Sequence, residues 1–416
     1  MGTLMLLGGS NGQLSAARAV KALGHRLVLV DYLQTPPAQT LCDVHARVST
    51  FDVNACIQTA KEHRIDGVCT VGTDQPVLTA ACVAEALSLP SPITTATARK
   101  ATNKRDMKEA FRLQGIPHVP FAYFSPDQSS AHLAQLGQPL VIKPLDSQGQ
   151  RGVFKVQTPA EAALRLPETL RHSRENSALV ETFYPSDEVT FSGFLYQGRL
   201  TPLLLTDRQL LDDPLHIGVC AAHRYPSIHS ARMTEITQLC QRVAEAIGAQ
   251  YGALYVQLLI GEHGVLVNEV ACRVGGAYED AMIRYASGFD ILSAVIHGAL
   301  GQSQPPPDLS FKSAPDTGLQ MSVQMLFCVP GVIGAITPIR QLLTLPGVLC
   351  AGYHYLPGDR ISPMENATNR FGHCVLATRR GDMASLVAQM YQTLQVTDTQ
   401  GQAMIIPRTF DGERNA

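Results

Sequence analysis

The sequence predicts a protein of mixed α/β and α+β class, and three regions of the chain support this prediction. Residues 3–30 contain an apolar run, a glycine turn, a helical pattern and a second apolar run, which is the βαβ opening of a doubly wound sheet. Residues 253–270 contain two apolar runs joined by a glycine-flanked turn, which is typical of an antiparallel hairpin. Residues 318–329 and 372–377 alternate like strands, and we expect them in a small C-terminal α+β domain.

Composition limits the classes of protein that fit. The 416 residues suffice for two to three domains, and a content of 45% hydrophobic and 16% charged residues argues against a disordered chain. A net charge of −2 argues against nucleic acid as a partner. No apolar run reaches the roughly 18 residues that a membrane span needs, so no membrane partner is expected. The ten cysteines lack CxxC pairs and zinc spacing, which predicts a reducing, cytoplasmic location.

The glycine turn at residues 8–12 precedes a helix at 14–23, and backbone N–H groups at a helix N-terminus attract anions. Gly9 is therefore a candidate for substrate binding. Asp31 closes the second strand at a spacing close to that of the ribose-binding acid of nicotinamide enzymes. Because GGSNGQ does not match GxGxxG, a dehydrogenase is the weaker interpretation, and the glycines could simply allow tight packing.

Thr73 and Asp74 follow the strand predicted at 67–71. Open α/β sheets bind ligands at the carboxyl ends of their strands, so both residues are candidates for substrate contact. An equally good interpretation is that one of them caps the helix predicted at 77–87.

Two lysines precede a glycine loop. Lys104 lies in a charged helix predicted at 98–114, and Lys143 ends a buried strand predicted at 139–144. A lysine at the end of a buried strand needs an anionic partner, because an unpaired buried charge is costly. The loop at 146–153 follows directly and contains four further candidates for nucleotide contact: Ser147, Gln148, Gly149 and Gly152. A strand, a lysine and a glycine loop suit nucleotide phosphates, although no GxxxxGK[ST] motif occurs.

Two acids, Glu181 and Glu188, flank a Phe-Tyr-Pro segment. Taken alone, such a pattern is more often a solvated loop than a site. His223 lies between this segment and a helix predicted at 231–247, and it is a further candidate for substrate contact.

The hairpin at 253–270 carries the most informative polar residues. Gln257 and Glu269 lie near the two strand centres, where residues of an antiparallel pair face each other. Arg273, Gly275 and Gly276 follow immediately. An amide oxygen, a carboxylate, an arginine and a glycine bend suit a hard cation and a phosphate. The alternative is the polar outer face of an ordinary hairpin.

Five segments, in this order, resemble the motifs of the ATP-grasp superfamily: GGSNGQ, TNKRDMKEAFRLQGIP, PLVIKPLDSQGQRGV, LVETFYPSDEV and VNEVACRVGG. The resemblance covers about residues 1–300. It implies a doubly wound pre-ATP-grasp domain at 1–97 and a two-lobed ATP-grasp clamp at 98–303, with lobes at about 98–177 and 178–303. A small C-terminal α+β domain would occupy 304–416.

The resemblance also implies roles for the candidate residues. Lys104 and Lys143 would contact the phosphates of ATP, and the loop at 147–152 would close over them. Glu181 would open the hinge that holds adenine, with backbone groups of Thr182 and Phe183. The remaining implied roles are ribose binding by Glu188, Mg²⁺ binding by Glu269 with Gln257, and contact with phosphate or the acyl intermediate by Arg273.

The implied activity is that of an ATP-dependent carboxylate–amine ligase, which activates a carboxylate as an acyl phosphate for attack by an amine. The segment RFGHCVLATRRGD resembles the branch that holds amino-acid ligases, so an amino acid is the favoured carboxylate. Three alternatives stay open: a purine-type carboxylase or formyltransferase, a nucleotide-binding protein without catalysis, and the dehydrogenase. The second is motivated by Gln257, which stands where many relatives carry an acid. A homodimer is also open, because homodimers are common in the family.

Overall fold

The structure is a computed structural model that describes residues 2–211, 217–306, 318–379 and 381–410. Its N-terminal unit has four strands in the order β3-β2-β1-β4, all parallel, which confirms the predicted βαβ opening. The elements of this unit are β1 (Thr3–Leu7), α1 (Leu14–Ala22), β2 (Arg26–Val30), β3 (Val44–Ala46), α2 (Val53–His63), β4 (Gly67–Cys69) and α3 (Gln75–Ala86).

The single helix predicted at 98–114 is wrong, because the chain forms two helices, α4 (Thr95–Thr102) and α5 (Lys104–Leu113). Asn103 between them is extended, and its side chain accepts the backbone N–H groups of Arg105 and Asp106. Such an N-cap satisfies donors that a new helix would otherwise leave unpaired. The break places Lys104 in the first turn of α5, where its own N–H donates to the carbonyl of Leu145.

A small antiparallel sheet follows, with strand order β5-β8-β6-β7. Its strands are β5 (Phe121–Phe124), β6 (Leu140–Pro144), β7 (Phe154–Val156) and β8 (Ala178–Thr182). Helix α6 (Pro159–Leu170) lies between β7 and β8 in the chain. Lys143 lies near the end of β6, directly beside β8 in the sheet. This position brings it close to the acids that the sequence places after residue 180.

The large sheet begins with long antiparallel strands, and helix α7 packs on one of its faces. Its elements up to residue 299 are β9 (Ser186–Tyr196), β10 (Arg199–Leu210), β11 (Cys220–Tyr225), α7 (Met233–Ile247), β12 (Gly252–Gly261), β13 (Gly264–Ala271), α8 (Glu279–Ser287) and α9 (Ile291–Ala299). The β12–β13 hairpin matches the prediction. Helix α8 was not predicted.

The C-terminal region adds three strands to this same sheet, whose full order is β13-β12-β9-β10-β11-β14-β18-β16. Its elements are β14 (Gln320–Leu326), β15 (Gly331–Ile336), α10 (Ile339–Leu343), β16 (Val348–Tyr353), β17 (Arg360–Ile361), β18 (Gly372–Thr378), α11 (Met383–Thr393) and β19 (Val396–Asp398). One hydrogen-bonded sheet therefore joins residues on both sides of position 304, and the division into domains stays a prediction. Pro307, in the predicted C-terminal domain, and Arg380, in the segment RFGHCVLATRRGD, lie outside the described residues.

Within the described ranges, no helix has the length and apolar character needed to cross a bilayer. The ten cysteines are all unpaired in the structure, and six of them are buried.

Candidate active site

A cavity between α3, α5 and the large sheet collects residues that the sequence had marked in five separate stretches. Its lining includes six predicted site residues: Asp74, Lys104, Ser147, Gln257, Glu269 and Arg273. Tyr255 and Met107 complete much of the wall. The cavity thus combines cationic, carboxylate and amide groups with one aromatic ring.

The hairpin register places Gln257 directly opposite Glu269, and the sequence predicts that they lie near each other. The pairing shifts between Gln257 and Leu258, so Asn268 is the extra residue of a β-bulge in β13. Asn268 accepts hydrogen bonds from two lysines at this bulge. Lys143 donates to its side-chain oxygen at 3.2 Å, and Lys108 donates to its backbone carbonyl at 3.1 Å. The bulge therefore aims Glu269 and its neighbour into the same space as the lysines.

Lys104 and Lys143 converge on the carboxylate of Glu269. Their Nζ atoms lie 3.6 and 3.7 Å from its Oε1, and Lys104 also donates to the carbonyl of Ser147 at 2.9 Å. Burial alone would raise the pKa of Glu269, but the two lysines outweigh it and hold the pKa below its usual value. A negatively charged carboxylate with two cations at this distance can accept a metal ion while the lysines turn to phosphate oxygens.

Glu181 is the anionic partner that Lys143 required. It forms ion pairs of 2.5 Å with Lys143 and 2.6 Å with Lys108, and all three side chains are buried. Burial would raise the pKa of Glu181, but the two lysines lower it to about 2. Lys108 was missed as a site residue because the sequence shows it only as one of several charges on a helix. Its place one turn after Lys104, between Met107 and Phe111, was the available signal.

The hinge residues after Glu181 are already engaged by neighbouring backbone. The N–H of Thr182 donates to Pro120, and the N–H of Phe183 donates to Pro139 at 2.9 Å. The ammonium group of Lys155 lies 3.7 Å from the centre of the Phe183 ring, a cation–π contact. An adenine base at Phe183 would have to exchange the existing N–H bond.

The glycine loop lies against the cavity. Gln148 accepts the N–H of Asp74 at 2.5 Å, and the carbonyl of Gly149 accepts the N–H of Ala367 at 3.1 Å. Gly149 and Gly152 have φ values of 71° and 68°, in the left-handed region that glycine adopts readily. The loop thereby connects the N-terminal unit with the C-terminal region across the cavity.

Glu188 forms an ion pair with Arg208, which faces it directly across β9 and β10. Arg208 also donates to the side-chain oxygen of Gln257 at 3.4 Å and to the carbonyl of Gly218 at 3.2 Å. Arg208 was missed from the sequence because nothing local distinguishes it from a surface arginine. It links the predicted ribose-binding acid to the predicted metal site.

Arg273 and Asp74 meet, although 199 positions separate them. Arg273 Nη2 lies 2.5 Å and Nε 2.7 Å from the same oxygen of Asp74, and the guanidinium lies 4.9 Å from the centre of the Tyr255 ring. Asp74 stands at the start of α3 but its side chain makes no capping bond there, so contact with Arg273 is its role in the structure. Thr73 points to Thr70, with their hydroxyl oxygens 3.5 Å apart.

The turn after Arg273 is closely packed on both sides. A Cβ at Gly276 would lie 2.6 Å from the carbonyl oxygen of Gly72, and a Cβ at Gly275 would lie 2.4 Å from the carboxyl carbon of Glu279. At Gly276 the short contact is with backbone, so another side chain does not fit, whereas at Gly275 it is with a side chain that an added Cβ would displace. These two glycines therefore let the loop lie against the N-terminal unit and against a buried acid.

His223 is buried beneath this turn. Its Nδ1 lies 2.8 Å from the hydroxyl of Thr206 and 3.2 Å from that of Thr190, while its Nε2 lies 3.8 Å from Oε1 of Glu279. Burial lowers the pKa of His223 to about 4, so the ring is neutral near pH 7. Glu279 was missed from the sequence, because α8 was not predicted.

Two C-terminal histidines reach the same region through Tyr278. The Tyr278 ring stacks on His373 with centroids 3.4 Å apart, and its hydroxyl lies 2.9 Å from Nε2 of His354. Burial lowers the pKa of His354 to about 4 and that of His373 to about 3. Tyr278 has a φ of 61°, which is uncommon for a bulky residue and marks a strained position.

Gly9 lies apart from this network. Its N–H donates to Asp31 at 2.7 Å, while the N–H of Gly8 donates to Val30 and that of Ser10 to the side chain of Gln13. Three successive donors of the glycine turn are thus used inside the chain. Asp31 likewise serves the turn, which weakens the nicotinamide interpretation.

Comparison with known proteins agrees with this geometry. Residues 324–397 match the model of the L-amino acid ligase C-terminal domain 2. The chain is 24% identical over 309 residues to dapdiamide A synthase of Enterobacter agglomerans, which covers 69% of each chain. The crystal structure of an L-amino acid ligase from Bacillus licheniformis superposes with a TM-score of 0.79 at 17% identity, over 96% of this chain and 99% of that one. These similarities support the predicted resemblance to the carboxylate–amine ligase branch of the ATP-grasp superfamily.

The chain is also similar to enzymes of purine synthesis. The formate-dependent phosphoribosylglycinamide formyltransferase of Burkholderia cenocepacia (strain HI2424) is 26% identical over 285 residues, 65% of this chain and 68% of that protein. The predicted fold class and the predicted resemblance to this superfamily are thereby confirmed. The individual site residues stay predictions, now with positions attached.

Proposed function

We propose that the protein is an ATP- and Mg²⁺-dependent ligase that joins the carboxylate of an amino acid to an amine. The observation that carries the proposal is the convergence of Lys104, Lys143, Glu269 and Arg273 around one cavity. Transfer of a phosphoryl group needs positioning and charge neutralisation more than covalent help from the protein. Two lysines, a carboxylate and an arginine are the groups for that task.

The donor set fits Mg²⁺ bound jointly by protein and nucleotide. Glu269 supplies a carboxylate and Gln257, opposite it, a neutral amide oxygen. In the described part of the chain, no group of three or more His, Cys, Asp or Glu side chains is arranged for a metal ion. Mg²⁺ commonly takes one or two carboxylates and completes its shell with phosphate oxygens and water, so these two donors suffice. The bound ion would neutralise charge on the phosphates during transfer.

The chain's own residues then have distinct tasks. Lys104 and Lys143 would leave Glu269 and hold phosphate oxygens, and the glycine loop would exclude water from the acyl phosphate. Arg273, oriented by Asp74, would face the carboxylate that receives the phosphoryl group. Attack by the amine forms the C–N bond and releases phosphate. We also propose a homodimer, because homodimers are common in the family that the chain resembles.

An amino acid is favoured over a phosphoribosyl substrate for a structural reason. The glycine turn that would cradle a ribose phosphate has its N–H groups at Gly8, Gly9 and Ser10 occupied. The match to the L-amino acid ligase model supports the same choice.

The test is ADP and phosphate production with the twenty L-amino acids offered singly and in pairs, and with bicarbonate and formate in parallel. We expect turnover with amino acids, together with a new amide product seen by mass spectrometry. Lys143→Ala should weaken ATP binding, whereas Lys21→Ala, at an exposed ion pair with Asp43, should not. Turnover with bicarbonate or formate alone would replace the proposal with the purine-type alternative.

A further inference from the structure

Glu279, at the start of α8, is a buried carboxylate, and one of its two oxygens accepts no hydrogen bond within the part of the chain covered by the structure. Its exposed fraction is 0%, and one oxygen accepts the N–H of Ala277 at 2.7 Å. The other, Oε1, receives no hydrogen bond from any residue that the structure describes. A buried carboxylate oxygen without a donor is costly, so its retention in the fold calls for an explanation, of which a bound ligand is one.

The side chains around Glu279 do not fill this role. His223 approaches to 3.8 Å, which is beyond hydrogen-bond distance, and its ring is neutral near pH 7. Three arginines lie in the same region, but their hydrogen bonds go elsewhere. Arg273 bonds to Asp74, Arg208 to Glu188, and Arg370 to the carbonyl of Ala367.

The position of Glu279 is built into the loop that follows Arg273. Gly275, two residues after Arg273, has its Cα so close to Glu279 that a Cβ would lie 2.4 to 2.6 Å from all three atoms of the carboxylate group. Any larger residue at Gly275 would displace that group. The loop that follows the cavity-lining Arg273 thus leads directly to this carboxylate.

We propose that Oε1 of Glu279 binds the α-ammonium group of the amino acid whose carboxylate is activated. An ammonium group supplies both the missing donor and the missing positive charge. In an amino acid it stands one carbon away from the carboxylate, as Glu279 stands one short turn away from Arg273. This inference rests on the proposed function and adds the means by which an α-amino acid is recognised.

A consequence concerns which amine reacts. An ammonium group has no lone pair, so the amine that Glu279 holds protonated cannot attack an acyl phosphate. The activated amino acid is thereby protected from acting as nucleophile, and the attacking amine must come from a second molecule.

The experiment compares substrates that differ only at the α-position. ATP turnover is measured with the best L-amino acid, with the carboxylic acid that lacks its amino group, and with its 2-hydroxy analogue. We expect the wild-type enzyme to prefer the amino acid. Glu279→Gln should reduce that preference by about 10- to 100-fold through a raised KM for the amino acid, because a charge-assisted bond is replaced by a neutral one. The KM for ATP should stay unchanged.

Two variants keep the test decisive. Glu262→Gln, in the exposed turn of the β12–β13 hairpin, removes the same charge far from the cavity and should leave the preference intact. If Glu279→Gln does not fold, Gly275→Ala takes its place, since the added Cβ displaces the carboxylate and should lower the same ratio. A wild-type enzyme that consumes no ATP with any carboxylate refutes the proposed function. An active wild type whose preference survives these changes overturns the Glu279 assignment alone.

Discussion

Two buried groups of charged residues near the cavity differ in whether their charges are paired. On the nucleotide side, Lys108, Lys143 and Glu181 neutralise one another at distances of 2.5 and 2.6 Å. Beyond the loop that follows Arg273, Glu279 keeps an oxygen without a donor among the described residues. The first arrangement is complete before any ligand arrives, whereas the second is completed by a ligand. The contrast separates charges that are already paired within the protein from a charge that is left for a substrate.

The largest effect should come from breaking the complete arrangement. Glu181→Ala leaves two buried lysines without their shared partner, and removing one member of a buried ion pair costs about 3–5 kcal/mol of unfolding free energy. Urea denaturation measures this loss. Glu168→Ala, which breaks an exposed pair with Arg165, is the matched control and should cost about 1 kcal/mol or less. Equal losses in the two variants would show that the buried triad has no special structural role.

The second prediction concerns the proposed Mg²⁺ site at Glu269 and Gln257. Glu269→Ala should reduce ADP formation by about 10²- to 10³-fold, since a charge aimed at the phosphates is lost. Gln257→Ala should cost less and raise the Mg²⁺ requirement, and Gln257→Glu should lower it, because a carboxylate binds Mg²⁺ better than an amide. Mg²⁺ titrations of the three variants provide the measurement. Wild-type activity in Glu269→Ala would place the metal site elsewhere.

A smaller loss of stability should appear at acidic pH, and it comes from three buried histidines. The pKa values of His223, His354 and His373 are lowered to about 4, 4 and 3, so each ring is neutral in the fold but takes a proton near pH 6.5 when unfolded. Their contribution to stability is therefore present above pH 6.5 and falls as the pH is lowered. Each should lose about 1–2 kcal/mol between pH 6.5 and 5.

Denaturant unfolding at pH 7, 6 and 5 checks this prediction. His373→Gln should flatten the pH dependence, whereas His263→Gln, at an exposed turn, should leave its slope unchanged. Glu181 does not interfere in this range, because its pKa of about 2 moves its own transition below pH 4.5. Constant stability from pH 6.5 to 5 would contradict the prediction.

The sequence predicted the features whose cause is local. The turn between β12 and β13 predicted that Gln257 and Glu269 would lie near each other across the hairpin. The bulge at Asn268, which brings them directly opposite, was not predicted, because the register set by the turn alone would pair Gln257 with Asn268. The need of Lys143 for an acid was also predictable from burial, and Glu181 met it. The break at Asn103 was missed, because a helical pattern of charges on both sides concealed the cap.

The remaining site residues depend on contacts between distant segments. Lys108 and Arg208 look like surface cations in the sequence, and only the folded sheets bury their side chains. Glu279 follows a glycine-rich turn that gave no sign of a helix, so its burial under His223 could not be foreseen. Asp74 and Arg273 were each proposed separately, but their direct contact emerges only when the N-terminal unit packs against the large sheet.

The shared sheet has a mechanical consequence. β14, β16 and β18 extend the hydrogen-bonded sheet that holds the β12–β13 hairpin, whereas β5, β6, β7 and β8 form a separate small sheet. We expect any opening of the cleft to occur between these two sheets. The small sheet is fastened there by Lys143, which spans from Glu181 to Glu269 and Asn268. Phosphate oxygens compete for this same ammonium group. A nucleotide that binds Lys143 would therefore weaken the contacts of Lys143 with Glu269 and Asn268, which join the small sheet to the hairpin. Nucleotide binding and opening of the cleft would then be coupled.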